Sequence, residues 1–219
     1  MALAAAATEM SRGAGVILLV RHSIREPIGG ANLAAAAGAQ LTEEGRALAR
    51  RFGAALPLGR SIRLFSSPVG RCVETAEIVA DAARAAGGNA VYVGARAYLG
   101  AGFIISPDPV IETFVREGPR GFVRAWHAGE LTEAEIHTPE RAGHDLLEAM
   151  LAELGPEDGG GLEVHVGHDL TVLALLGLVR DVTSEEFPWP AYLDGVALRA
   201  CEQGYTVRYR SDELLLPWP

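Results

Sequence analysis

The chain contains no lysine: all 19 of its positive side chains are arginine, set against 28 acidic residues for a net charge of −9. An acidic balance of that size argues against general nucleic-acid binding, while leaving room for a local basic pocket. The presence of arginine by itself carries no information in such a sequence; only its position does. Cysteine is scarce, with Cys72 and Cys201 the only two and no spacing pattern between them. That excludes a disulfide framework and leaves both as small buried apolar residues. No apolar stretch approaches the roughly 20 residues that cross a bilayer, so no membrane partner is expected. Residues 1–15 are rich in alanine but lack a basic leader ahead of a sustained apolar core. This predicts a disordered tail rather than a signal peptide, and a cytoplasmic chain.

What is present is enough for one sizeable core: 219 residues, 49% of them hydrophobic. Strand and helix signals alternate. An apolar run at 16–20 reads as a strand buried on both faces. A small-residue loop follows over 29–38, then a helix opened by Thr42 with Glu43 and Glu44 in its first turn. A second strand falls at 62–65, a helix at 71–86 closed by Gly87-Gly88, and a short strand at 91–93. Residues 96–143 are proline-rich and less regular, with helical pieces at 110–116 and 122–127, and read as a small insertion over the active face. A helix at 140–154, a linker at 155–161, a strand at 162–166, a helix at 170–178 and a hairpin at 196–210 complete the chain. The βα alternation predicts a three-layer α/β/α fold around a mostly parallel, doubly wound sheet, formed by one domain over 16–219.

Three strand-to-helix junctions deliver chemistry. The first is Arg21-His22-Ser23-Ile24-Arg25-Glu26-Pro27, a histidine between arginines at the carboxyl end of a strand, where ligands of open α/β sheets bind. Guanidinium groups flanking an imidazole point to an anion, above all a phosphate. The second places Arg71 in the first turn of a helix with Ser67 as expected N-cap and Pro68 as first helical residue. A cation there opposes the macrodipole unless an anion lies between them. The third, Gly167-His168-Asp169, opens another helix and offers an imidazole donor beside a carboxyl that can hold or give a proton.

Together these motifs resemble the histidine phosphatase superfamily. Arg21-His22-x-x-Arg25-x-Pro27 is similar to the RHGxRxP signature of its acid-phosphatase branch. Ser66-Ser67-Pro68-x-x-Arg71-Cys72-x-x-Thr75-Ala76 is similar to the second-arginine motif shared with phosphoglycerate-mutase-like members, and Gly167-His168-Asp169 to the late histidine with its proton donor. The resemblance implies a phosphoglycerate mutase-like fold and hydrolysis of a phosphomonoester on a small phosphorylated substrate. His22 would be the nucleophile and form phosphohistidine, with Arg21, Arg25, Arg71 and His168 binding phosphate. Asp169 would serve as acid and then base, and neither metal nor other cofactor would be required.

Two departures stand out. Ser23 replaces the usual glycine after the nucleophile, and no glutamate stands in the loop after the third strand, where mutase-type members carry their acid; Glu112 is the nearest candidate. Ser23, Phe103, Glu112, Arg116, Arg124 and Trp126 are the candidate pocket residues. His165 reads as a core or supporting histidine, His144 with Asp145 as a solvated helix face, His127 and His137 as insertion histidines without visible partners, and Trp189 and Trp218 as packing residues. A mutase-type phosphotransferase and a silent phosphate-binding module are the alternatives. A metallohydrolase using His165-x-x-His168-Asp169 is disfavoured, because three converging arginines repel a divalent cation. Oligomeric state is not legible.

Overall fold

The computed structural model describes residues 2–10, 15–27, 38–154 and 160–217. The loop expected at 29–38 lies outside the described residues except for Gly38, as do 155–159 of the expected linker and Trp218.

The apolar run forms β1 (Val16–Arg21). Successive side chains of a strand point to opposite faces, so Ile17 and Leu19 enter one core while Val16, Leu18 and Val20 enter the other. β1 therefore belongs inside the sheet. It pairs in parallel with β4 (Leu162–Gly167) on one side and antiparallel with β5 (Gly195–Cys201) on the other. Beyond β4 come β2 (Ser61–Ser66) and then β3 (Asn89–Ala95), both parallel. Beyond β5 come β6 (Gly204–Tyr209) and β7 (Asp212–Pro217), both antiparallel. The order is β3-β2-β4-β1-β5-β6-β7, parallel through the centre and antiparallel at the C-terminal edge. The hairpin read from sequence gains a third strand, β7. Its Leu214-Leu215-Leu216 run follows a tight turn at Arg210-Ser211, where Arg210 adopts φ of 55°.

Helices cover both faces, giving three layers. α1 (Ala2–Met10), α2 (Glu43–Ala54) and α3 (Gly70–Ala85) share the core lined by Leu18, Leu64 and Val164. α4 (Pro107–His127), α5 (Pro139–Leu151) and α6 (Asp169–Leu176) share the one lined by Leu19 and Phe65. Thr42 caps α2 as expected, accepting from the Gly45 amide at 3.0 Å. The two helical pieces expected in the insertion are the halves of α4, broken at Gly118 (φ 69°, ψ 176°) just before Pro119. No β-carbon-bearing residue adopts that φ/ψ cheaply, and proline then cannot donate back into the preceding turn.

Two expectations are corrected. Residues 2–10 are not a disordered tail: they form α1, with Leu3, Ala6, Ala7 and Met10 buried against the sheet. Those positions recur at helical spacing, and alanine has the highest helix propensity, so composition alone misled. Ser67 is not the N-cap of α3. Val69 takes that place without a side-chain cap, and the Ser67 hydroxyl turns to the active face.

Candidate active site

The carboxyl ends of β1, β4 and β2 are neighbours, with β4 in the middle: Arg21 pairs with Gly167 and Ser66 with Val166. Pairing runs one residue further, since the His22 amide donates to Gly167 O at 2.9 Å and the Ser67 amide to Val166 O at 2.8 Å. His22, His168 and Ser67 thus leave the sheet side by side. Gly167 lies close under Leu99, where a Cβ would meet Leu99 O at 3.3 Å. From the first turn of α3, Arg71 reaches back across both imidazoles.

The hydrogen bonds fix the tautomers. A guanidinium only donates. Arg71 Nε donates to His22 Nε2 at 3.0 Å, so Nε2 carries the lone pair, and Nδ1–H donates to Ser23 O at 2.7 Å. Arg71 Nη2 likewise approaches His168 Nδ1 at 3.2 Å, leaving His168 Nε2–H to donate to Ser67 Oγ at 3.1 Å. The rings of His22 and His168 meet edge-on, 5.5 Å apart. Burial, reinforced by the Arg71 charge, holds His22 neutral, its pKa lowered to about 2 against the opposing Ser23 carbonyl bond. Burial and Arg71 also lower His168, to about 4. The site is therefore two neutral imidazoles with their lone pairs on one buried guanidinium.

Arg21 stands beside them, held on three sides. Its Nη1 donates to Pro190 O at 2.7 Å, its Nη2 pairs with Asp169 Oδ2 at 3.1 Å, and its guanidinium lies 4.3 Å above the Tyr192 ring. Among the described residues its buried Nε has no hydrogen-bond partner. Asp169 Oδ2 also accepts from Trp189 Nε1 at 3.1 Å, and Oδ1 from the Leu170 amide at 3.0 Å. Arg25 is half-buried and donates to Glu26 O at 2.7 Å; its charge contributes to the lowering of both His168 and Arg71.

Of the candidate pocket residues, none brings its side chain into this cluster; Ser23 meets it only through its carbonyl. Ser23 is fully buried and faces α2, its Oγ donating to Gly45 O at 2.7 Å while its amide donates to Thr75 Oγ1 at 3.2 Å. That approach requires the glycine at 45, where a Cβ would lie 2.0 Å from Ile24 O. Phe103 and Trp126 stack on each other in the core, centroids 5.1 Å apart, and Trp126 Nε1 donates to His137 O. Arg116 and Arg124 pair with Glu117 and Glu185 on the surface. Glu112 is exposed on the first half of α4 and makes none of the site's contacts. Apolar periodicity in a helix serves core and pocket alike, which is why sequence alone did not separate them.

Three residues at the site were not anticipated. Tyr192 lies 5.7 Å from the His22 ring. Trp189, expected to be packing, holds Asp169, and Ser67 receives His168 rather than capping α3. Tyr192 and Trp189 arrive on the segment before β5, whose return is fixed by the Arg21 amide donating to Asp194 O and Leu193 to Arg21 O. That fold-back leaves no motif in the sequence.

The model of the histidine phosphatase superfamily (branch 1) matches residues 17–87, which span His22 and Arg71. The model matching the Arg21-His22-x-x-Arg25-x-Pro27 stretch is thus that of branch 1, and the acid-phosphatase likeness drawn from that stretch and from Gly167-His168-Asp169 rests on those motifs alone. No curated protein matches the chain. Among solved structures, YhfR of Bacillus stearothermophilus is 17% identical over 91% of this chain and 98% of its own, with a TM-score of 0.60. Phosphoglycerate mutase of Bacillus anthracis is 17% identical over 92% and 94%, with a TM-score of 0.57. Phosphoserine phosphatase of Entamoeba histolytica, in complex with phosphoserine, is 16% identical over 90% and 97%, also with 0.57. At these identities the likeness is one of fold, and that fold is phosphoglycerate mutase-like. The family match covers the first strands and helices, and the fold of the whole chain is similar to that of these structures.

Proposed function

We propose that the protein is a phosphatase that takes a phosphoryl group from a small phosphorylated substrate onto His22 and passes it to water. The observation that supports this most strongly is the His22 tautomer. Nδ1–H is tied to a backbone carbonyl, so the lone pair of Nε2 stands free of a proton on the face shared with Arg71 and His168. A nucleophile kept neutral by burial needs no base to activate it. Nε2 bonds to phosphorus as the bond to the leaving group breaks. Water then attacks phosphorus, the N–P bond breaks and its electron pair returns to Nε2, and the water's protons leave on the released phosphate.

A bound phosphate dianion replaces the imidazole lone pairs as acceptor for Arg71 Nε–H and Nη2–H, and the unpartnered Arg21 Nε–H is a further donor for it. His168, once relieved of Arg71, takes a proton from the bound phosphate or solvent at Nδ1 and donates it in a hydrogen bond to the anion. Such positioned donors in a water-poor site carry most of the catalysis of phosphoryl transfer. Arg25, at the half-buried rim, adds charge. Among the described residues no helix is long and apolar enough to cross a membrane.

The test is rapid quenching with radiolabelled nitrophenyl phosphate. An acid-labile phosphoenzyme is expected, absent in a His22→Ala variant whose circular dichroism is unchanged. Turnover that survives His22→Ala removes His22 from the chemistry. Label recovered on a second hydroxyl in place of inorganic phosphate marks a mutase.

A further inference from the structure

Among the described residues the site shows no disposable acid, and this bears on what it can take as substrate. Asp169 is the carboxyl whose charge acts on His168 and Arg71, and its hydrogen bonds and ion pair are ones that a carboxylate accepts: Arg21 Nη2, Trp189 Nε1 and the Leu170 amide. To protonate a leaving group once per turnover it must first carry a proton, at the expense of its pairing with Arg21. Arg21 cannot simply move aside, because Pro190 O and the Tyr192 ring hold it independently of Asp169. Asp194 is no substitute. It receives the Gly195 amide at 3.0 Å and Arg210 Nε at 3.1 Å. Glu112 is exposed and outside the cluster, and Glu163 is fully buried on β4 between Arg63 and His165.

From this arrangement we infer that the substrate is a mixed anhydride of phosphoric acid, an acyl phosphate or a phosphoanhydride, rather than an alkyl phosphomonoester. The inference rests on the phosphohistidine reading above and narrows it. An alkoxide leaving group needs a proton as it departs; a carboxylate or phosphate does not. The step balances without an acid: Nε2 of His22 bonds to phosphorus, the P–O bond breaks, and its electron pair leaves on the carboxylate or phosphate oxygen. Arg21, Arg71 and His168 serve the phosphoryl oxygens throughout. Asp169 is then a positioning residue, orienting Arg21 so that its Nε–H remains for the phosphoryl group.

The experiment is single-turnover phosphorylation of the intact protein by acetyl phosphate, nitrophenyl phosphate and glycerol phosphate, in the wild type, Asp169→Asn and Tyr192→Phe. General acid catalysis is typically worth about 10²- to 10⁴-fold. Without it, glycerol phosphate is expected to phosphorylate His22 at least about 10³-fold more slowly than acetyl phosphate, and Asp169→Asn to slow all three by the same factor. A loss confined to glycerol phosphate in Asp169→Asn or Tyr192→Phe overturns the inference, since that residue is then the acid, while phosphohistidine formation stands. Failure of all three compounds to phosphorylate the wild type overturns the reading beneath it.

Discussion

Arg71 Nε donates to His22 Nε2 at 3.0 Å, and this bond fixes the tautomer of the imidazole proposed as the nucleophile. Burial disfavours a proton on that ring, and the guanidinium beside Nε2 adds to the same effect. In the proposed reading the cluster is a phosphate site at rest: imidazole lone pairs occupy the donors that an anion's oxygens would take. Arg71 is itself anchored through its backbone, where its carbonyl accepts from Thr75 Oγ1 at 2.6 Å, and Thr75 in turn receives the Ser23 amide. The residue after the nucleophile and the helix bearing Arg71 are therefore one unit.

Arg71→Lys tests that geometry. An ammonium is a point charge that cannot address two acceptors in one plane. A charge-assisted hydrogen bond contributes about 1.5–3 kcal/mol, so vanadate binding is expected to weaken by roughly 10- to 100-fold. The imidazole of His22 should at the same time become easier to protonate, visible as a higher titration midpoint by NMR. Vanadate affinity within a factor of about two of wild type, on the same scale, would show that Arg71 does not hold the anion.

Much of this site was legible because strand order and motif order are both short-range statements. A double-sided apolar strand ending in Arg21-His22, and two further junctions at Arg71 and Gly167-His168, could only meet at one sheet edge. What escaped reading was long-range. Tyr192 and Trp189 reach the site by the return of the chain into β5, and nothing in Pro188-Trp189-Pro190 distinguishes a site segment from a packed loop. Phe103 and Trp126 erred in the opposite direction, large residues in an insertion that turned out to fill the core. α1 was missed because alanine-rich sequence buries little area per residue, and its burial depends on the face β1 and β5 offer it.

Ser23→Ala should separate scaffold from chemistry. The Ser23 hydroxyl is fully buried and donates to Gly45 O, away from the substrate face. Losing one such bond is expected to lower stability by about 1 kcal/mol, read from urea midpoints at unchanged slope. The phosphorylation rate of His22 should stay near wild type. A rate loss of about a hundredfold, the scale of a lost catalytic contact, would instead make the hydroxyl part of the site.

The buried network on β4 is structural. Glu163 is 1% exposed, pairs with Arg63 at 2.9 Å and faces His165 Nε2 at 3.2 Å, while Tyr98 OH meets His165 Nδ1 at 3.2 Å. His165 also stacks on Phe65, centroids 4.8 Å apart. Glu163→Leu removes the acceptor for both neighbours and is expected to cost about 3 kcal/mol. Glu163→Gln keeps an acceptor for His165 and should cost about half as much or less. Equal losses in the two variants would mean that volume, not pairing, is what Glu163 supplies.

The two site histidines make stability depend on pH in a defined direction. In the unfolded chain each takes its proton near pH 6.5. In the folded state burial and Arg71 lower His22 to about 2 and His168 to about 4. Between those limits the unfolded chain binds more protons, so stability rises with pH. The contribution is fully present above about pH 6.5 and is lost as the pH falls below it. His168 ceases to add to the loss near pH 4 and His22 only near pH 2. Each group contributes a slope of at most about 1.4 kcal/mol per pH unit. Urea unfolding of the wild type and His168→Asn, compared between about pH 4 and pH 6.5, should show the variant's slope lower by up to that amount. His22→Asn should flatten the same window and continue to differ from wild type below pH 4. Curves that run parallel to wild type would mean the imidazoles are protonated in the folded state, and with a proton on Nε2, His22 has no lone pair with which to attack phosphorus.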